Sequence, residues 1–215
     1  MTSYFAGIVD FIGVHPHYAL AAIFLLASSE AIPVIGTVVP GSMLIIGICA
    51  LATGAHVNHW PLLGAAIVGA IFGDGLSFWL GRHYHQEILL RWPLNRYPQF
   101  VHRSEAFIKI YGGASVFLAR FIAVLRAFVP LVAGILGMSS RQFYAVNILS
   151  ALAWAPAHVF SGVLLGMALS FARLSPGRLA ILLIVGVIAV LAVGLAMRSY
   201  LNRHPFPARL PDIEA

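Results

Sequence analysis

Long apolar runs separated by short polar links organise the whole chain. Residues 60–81 and 178–198 are each long enough to cross the hydrocarbon core of a bilayer, which takes about 20 apolar residues in an α-helix. A further apolar segment runs from 143 to 170 and contains Pro156. The pattern predicts transmembrane helices at these three places and an all-α fold.

Two other apolar runs are interrupted near their middles by residues that break helices. They cover residues 30–56 and 112–138. Irregular backbone is tolerated at membrane depth only where protein buries it or where it lines a cavity. We therefore expect two re-entrant helical hairpins, each of which enters and leaves on one side of the membrane. Their bends are expected at Pro40, Gly41, Pro130 and Gly134.

The positively charged residues predict how the helices are oriented. Most of the arginines lie in a polar loop at 82–109 and near the C-terminal end, which includes a tail at 199–215. Cytoplasmic loops of membrane proteins carry an excess of Lys and Arg. Placing both regions in the cytoplasm requires that neither hairpin crosses the membrane. It also places both termini in the cytoplasm, with residues 1–16 as an interfacial helix.

The two hairpins also share a weak sequence repeat. Adding 90 to the position of Glu30 gives Arg120, and adding 90 to Pro40 gives Pro130. A hairpin followed by a span, entered once from each side, is the inverted-repeat plan of secondary transporters, which bind substrate near the midplane of the membrane. The repeat therefore predicts a polytopic fold with an internal two-fold relation.

Composition agrees with a polytopic membrane protein and narrows its partners. Hydrophobic residues make up 60% of the chain and charged residues only 9%, whereas soluble domains have about 25% charged residues. Lys and Arg outnumber Asp and Glu by 13 to 7, which gives a net charge of +6. In a membrane protein this excess indicates contact with anionic lipid rather than with nucleic acid.

Several chemistries have no support in the sequence. Cys49 is the only cysteine, which excludes an intrachain disulfide and a thiolate metal cluster. The closely spaced histidine pairs are His56/His59 and His83/His85. They lack the HExxH pattern and carboxylates at ligand spacing, so we expect no metal and no other cofactor. No nucleophile stands in a recognisable motif with a base. We expect a protein that is not an enzyme.

Four ionisable residues lie in apolar surroundings, namely Glu30, Asp74, Arg120 and Arg126. A charge at the centre of a transmembrane helix costs about 2.5–3.5 kcal/mol on insertion scales. The two arginines therefore need anionic partners or access to water, and the two carboxylates can provide partners. Two interpretations stay open: ion pairs that only hold the hairpins together, or an anion site with a titratable gate.

The spacing of the arginines bears on this choice. Arg120 and Arg126 are six residues apart, so a straight helix would point them about 240° apart. Pro130 cannot donate to the carbonyl of Arg126 and is expected to bend the chain just beyond it. The bend would let both guanidinium groups face one phosphate or carboxylate, which suits their planar forks. Ser42 and Asn147 are candidate contacts for the headgroup of such a ligand.

Three stretches resemble a known family. The segment RFIAVLRAFVPLVAGILGMSSRQFYAVNILSALAW (120–154) resembles the signature of the DedA family, bacterial membrane proteins also called SNARE-associated or VTT-domain proteins. Glu30 ahead of PGS (40–42) and the stretch GDGLSFWLGR (73–82) resemble two further family motifs. The resemblance covers about residues 17–170, which we treat as one membrane domain.

The resemblance implies two re-entrant hairpins that face each other. It also implies a role in returning undecaprenyl phosphate, the carrier lipid of cell-wall synthesis, across the bacterial cytoplasmic membrane. That activity depends on proton-motive force in some members, and eukaryotic relatives act as lipid scramblases. Arg120 and Arg126 match the family's essential arginines, and Glu30 matches its hairpin acid. The chain departs from the pattern at Ala123, where a proline is expected, and at Ser42, where an acidic residue is common.

The buried charges predict an anion site, and the resemblance implies that the anion is a polyprenyl-phosphate lipid moved by a translocase. The phosphate would bind Arg120 and Arg126, while Glu30, with Asp74, would release the arginines on taking up protons. Because Ser42 stands where the family has an acid, proton coupling would fall to Glu30 or Asp74. Two alternatives stay open. One is a proton-coupled exporter of small cations or drugs, and the other is an uncoupled lipid scramblase or membrane-maintenance protein.

Overall fold

The fold is helical throughout the part of the chain that the computed structural model describes, which is residues 2–33, 35–38, 40–84, 98–122 and 125–171. These residues form nine α-helices and no β-strand. The first five are α1 (Thr2–Val14), α2 (Pro16–Ser29), α3 (Ile35–Val38), α4 (Gly41–Gly54) and α5 (His59–Tyr84). The other four are α6 (Pro98–Tyr111), α7 (Ala114–Ala119), α8 (Leu125–Ile135) and α9 (Ser140–Phe171). The predicted helix at 178–198 and the tail at 199–215 lie outside the described residues.

Two of the described helices are long and apolar enough to cross a membrane. They are α5, with a mean hydropathy of 1.6, and α9, with a mean hydropathy of 1.7. They coincide with two of the spans predicted from the apolar pattern, at 60–81 and 143–170. α9 continues through Pro156. α5 ends with Arg82 and His83 in its last turn, where the helix dipole favours positive charge.

Each of the two interrupted apolar runs contains a break between helices: the first break lies between α2 and α4 and includes the short helix α3, and the second lies between α7 and α8. In the first run, α2 ends at Ser29, Glu30 forms its C-cap, and α4 starts directly after Pro40. In the second run, α7 ends at Ala119 and Arg120 forms its C-cap. Glu30 and Arg120 thus occupy the same position relative to their preceding helices, as the offset of 90 residues predicts.

The predicted bends at Pro130 and Gly134 are wrong. Both residues lie inside α8, so the break in this run falls upstream of Leu125. Gly134 serves helix packing instead, because a Cβ atom there would collide with the backbone oxygen of Phe78 on α5. Pro40 and Gly41, in contrast, do lie at the break that precedes α4.

The two long helices pack reciprocally on the two broken runs. α5 approaches α8 so closely that a Cβ atom at Gly81 would meet the backbone oxygen of Leu131. α9 approaches α4 in the same way, since a Cβ atom at Gly166 would meet the backbone oxygen of Ala50. Each long helix therefore rests on the broken run of the opposite half of the chain. Gly81 and Gly166 are 85 residues apart, close to the offset of 90 that relates Glu30 to Arg120.

Two apolar clusters form the interior of the described region. One is centred on α2, α4 and α9 and includes the buried residues Ile23, Ile45 and Val159. The other is centred on α6 and α8 and includes Phe128 and Phe143. The candidate site lies where these two clusters meet.

The polar stretch predicted as a cytoplasmic loop at 82–109 contains a helix. α6 buries Val101, Ser104 and Ile108, which recur at the spacing of one helical face. This face packs against α8, so α6 supports the second broken run from outside. The charge of this stretch obscured its amphipathic pattern in the sequence.

Candidate functional site

The carboxylate of Glu30 lies at the N-terminus of α4. It accepts hydrogen bonds from the backbone N–H of Ser42, at 2.5 Å, and from the Ser42 hydroxyl, whose oxygen is 2.8 Å from Oε1 and 3.0 Å from Oε2. Glycine at position 41 makes room for it, because a Cβ atom there would lie 2.7 Å from Cγ of Glu30. Free N–H groups at a helix N-terminus stabilise negative charge, so the N-terminus of α4, directly after Pro40, forms a binding site for this carboxylate.

Arg126, at the start of α8, connects the second broken run to Glu30 and Ser42 of the first. Its Nη2 atom forms an ion pair with Oε2 of Glu30 at 2.6 Å, and its Nη1 atom donates to the Ser42 hydroxyl at 3.0 Å. The centre of the guanidinium group lies 4.9 Å from the centroid of the Trp154 ring on α9. Arg126 thus links its own broken run to the first broken run and to the long helix α9.

Arg120 is held by the two long helices. It forms an ion pair with Asp74 of α5 and donates to Oδ1 of Asn147 on α9 at 2.5 Å. Asn147 in turn donates to the backbone oxygen of Ile71 at 3.3 Å, which fixes its side-chain amide. The Nε atom of Arg120 is buried without a hydrogen-bond partner among the described residues.

Both arginines and Asp74 line one cavity. Its volume is about 10 Å³, the space of roughly one water molecule. The remaining walls are small or apolar side chains: Ala27 and Ala70 from the first apolar cluster, Val116 and Ala119 from the second, and Pro130. The cavity cannot hold a phosphate group in this conformation, so the two arginines face a closed site.

The four predicted ionisable residues are brought together as two buried ion pairs. The side chains of Arg120 and Asp74 are 4% and 10% exposed, and those of Arg126 and Glu30 are 12% and 5% exposed. Removing one partner of such a pair costs about 3–5 kcal/mol, because the other charge stays buried without compensation. The chain therefore keeps each arginine paired while the site is closed.

Trp154, which is 1% exposed, belongs to the site although it was not among the residues predicted for it. Its spacing carried the signal: Asn147 and Trp154 are seven residues apart, two turns of α9, so they share a helical face. On that face, Asn147 contacts Arg120 and Trp154 contacts Arg126.

Ala123, where the chain departs from the family pattern, lies outside the described residues. Within those residues, no three His, Cys, Asp or Glu side chains are grouped to hold a metal ion.

Comparison with known proteins identifies the domain around this site. The sequence profile of the VTT domain matches residues 39–164, which is more than half of the chain. The chain belongs to the DedA/VTT-domain family. The match includes Ser42, Asp74 and both arginines, whereas Glu30 lies just before it.

Relatives of this VTT domain are bacterial membrane proteins. The chain is 31% identical over 153 residues to the inner membrane protein YabI of Escherichia coli, covering 71% of the chain and 60% of YabI. It is 28% identical over 153 residues to the protein DedA of Escherichia coli, covering 69% of each. It is also 32% identical over 127 residues to an uncharacterized membrane protein of Mycobacterium tuberculosis, covering 56% of the chain and 58% of the relative. No solved structure matches the chain.

The chain thus spans about 60% of the length of YabI. Family membership supports a membrane protein whose VTT domain contains the paired arginines.

Proposed function

We propose that this DedA-family protein translocates a polyprenyl-phosphate lipid, such as undecaprenyl phosphate, across the bacterial cytoplasmic membrane. The observation that carries the proposal is that Arg120, which is buried, and Arg126, whose side chain is only 12% exposed, line the same small cavity. Each is paired with a carboxylate, for which a phosphate is a chemically equivalent partner. Ionisable residues inside a membrane domain commonly mark a substrate or ion pathway.

The exchange of partners would work as follows. A phosphate that enters between α5, α8 and α9 replaces Asp74 at Arg120 and Glu30 at Arg126. Guanidinium groups bind phosphate through parallel N–H donors, so both arginines keep charge-assisted hydrogen bonds while the substrate is bound. The isoprenoid chain stays in lipid, because no apolar chain fits the closed polar cavity.

The displaced carboxylates provide the coupling in this proposal. Glu30 would otherwise stay buried beside the backbone N–H of Ser42 without its arginine. Taking up a proton removes that cost, and losing the proton lets Glu30 recapture Arg126 and expel the phosphate. Transport would thus use protons as a co-substrate and would involve no chemical step on the lipid. The proposed orientation places both termini in the cytoplasm.

The reciprocal packing of the two halves supports an alternating mechanism. Transporters built from inverted repeats move one repeat or bundle against the other around a central site. Here each long helix rests on the broken run of the other half through glycine contacts. In the proposed mechanism, movement of one half against the other at these contacts would open the cavity.

The test is a flip assay in proteoliposomes that contain the full chain. Lipid in the inner leaflet becomes accessible to an added phosphatase only after it has crossed the bilayer. We expect Arg126→Lys to slow the appearance of hydrolysed lipid at least tenfold, since lysine keeps the charge and loses the fork. Arg141→Lys, an exposed position on α9, is the matched control and should match the parent.

The same assay separates the alternatives. An Arg126→Lys protein that moves polyprenyl phosphate as fast as the parent would refute the proposed role and favour a cation exporter, whose substrate binds carboxylates. Transport that is the same with and without a pH gradient, and unchanged in Glu30→Gln, would leave an uncoupled scramblase.

A further inference from the structure

The guanidinium group of Arg126 has two different binding surfaces, and the structure uses both. Its N–H edge contacts Glu30 and Ser42. Its centre lies 4.9 Å from the ring centroid of Trp154, within the range of a cation–π interaction. An anion can compete only for the edge, because the indole ring is neutral and interacts through its π system.

The indole ring is firmly placed. Trp154 is 1% exposed and packs in the cluster around α2 and α9, next to the small residues Ala151 and Ala155. One helical turn later, Nδ1 of His158 lies 2.8 Å from the backbone oxygen of Trp154, and the two rings are 4.4 Å apart between centroids. The ring therefore stays where it is when the partners at the edge of Arg126 change.

We propose that Trp154 is a positioning residue that keeps Arg126 aimed at the cavity after Glu30 has released it. Arg126 would otherwise be a largely enclosed charge held only by the neutral hydroxyl of Ser42 at the moment when the phosphate must enter. The ring lowers the cost of that intermediate and keeps the guanidinium group beside the cavity that Asp74 and Arg120 also line. This inference rests on the proposed function for its role in transport, but its energetic part can be tested without any lipid.

The first experiment measures melting temperatures of the purified protein and uses no substrate. Trp154→Phe and Trp154→Leu are compared in two backgrounds, Glu30→Gln and Glu30→Gln/Arg126→Met. With Arg126 present and its carboxylate removed, the Leu variant should melt clearly below the Phe variant, because only phenylalanine keeps an aromatic face. Without Arg126, the difference between Phe and Leu should disappear.

An equal difference between Phe and Leu in both backgrounds would overturn the inference, since the ring would then contribute packing alone. If the Leu variants do not fold, the comparison of Trp154 with Trp154→Phe in the same two backgrounds gives the same test. Indole binds cations more strongly than a phenyl ring.

The second experiment measures transport of polyprenyl phosphate in proteoliposomes. We expect Trp154→Leu to raise the apparent KM about 2- to 30-fold, the range that corresponds to the loss of a cation–π interaction, and Trp154→Phe to raise it less, each with a smaller change in the maximal rate. Trp79→Phe, at an exposed tryptophan of α5, is the control and should change neither. A fall in maximal rate at constant KM would contradict a positioning role.

The two experiments fail separately. If the parent protein does not move polyprenyl phosphate but the melting cycle shows coupling between Trp154 and Arg126, the proposed lipid is wrong and the pairing stands. If transport occurs and the cycle shows no coupling, the inference about Trp154 is wrong and the proposed function stands.

Discussion

Asp74→Asn removes the negative charge that faces Arg120 and keeps the shape of the side chain. The Arg120 side chain is 4% exposed and that of Asp74 is 10% exposed, so no more than the single water molecule for which the cavity has space can replace the lost charge without reorganising the helices. Asn147 remains as the other partner that Arg120 has among the described residues. Breaking a buried pair from one side costs about 3–5 kcal/mol, which lowers the melting temperature of a chain of this length by about 6–20 °C.

The chain contains a suitable reporter for this measurement. Cys49 is its only cysteine and is fully buried in the cluster around α4. A thiol-reactive fluorophore will label it only as the protein unfolds, so fluorescence against temperature gives the midpoint in detergent. Asp10→Asn, at an exposed position on α1, is the matched control and should stay within about 0.5 kcal/mol of the parent.

The double variant Asp74→Leu/Arg120→Met provides the decisive comparison. Replacing both charges with apolar side chains of similar volume is often neutral for a buried pair. We therefore expect it to melt well above Asp74→Asn. The reasoning is refuted if Asp74→Asn has the same melting temperature as the parent, or if the double variant has a lower melting temperature than Asp74→Asn. In either case the pair does not contribute the energy that its burial implies.

Two further predictions concern residues around the site and use the same melting assay. Ser42→Ala removes a hydroxyl that contacts both Glu30 and Arg126. We expect it to lower the melting temperature, because hydrogen bonds to charged groups contribute about 1.5–3 kcal/mol. A melting temperature equal to that of the parent would contradict this contribution. Gly134→Ala should destabilise the protein because the added Cβ meets the backbone of α5, whereas Gly64→Ala, with nothing within 4 Å, should stabilise it by about 0.5–1 kcal/mol. Equal effects of the two alanines would contradict the close approach of α5 and α8.

The closed site has a consequence for experiments on transport. In the described conformation each arginine is neutralised within the protein, and the cavity of about 10 Å³ admits no phosphate. On the proposed function, phosphate binding must therefore be preceded or accompanied by movement of the helices that carry the carboxylates. Variants that weaken an ion pair are expected to lower stability while making the arginines more accessible, so stability and transport should be measured on the same preparations.

The interrupted runs show where prediction from the sequence succeeded and where it failed. Irregular backbone was expected in both runs from their Pro and Gly content, and both contain a break. At Pro40 and Gly41 the break coincides with those residues, because Pro40 directly precedes α4 and Gly41 gives space to Glu30. At Pro130 and Gly134 the local rule failed, because close packing of α5 on α8 uses the glycine within a continuous helix.

The sequence by itself determined the helical class, the two long spans that the structure describes, and the set of charges that must be neutralised. Those features depend on local quantities, namely the length of apolar runs and the cost of burying a charge. Only the tertiary structure decided that Arg126 pairs with Glu30, that Arg120 pairs with Asp74, and that Trp154 lies beside Arg126. Either pairing satisfies the same charges, so the choice depends on which helices approach each other across the fold, and that is set by packing between residues far apart in the chain.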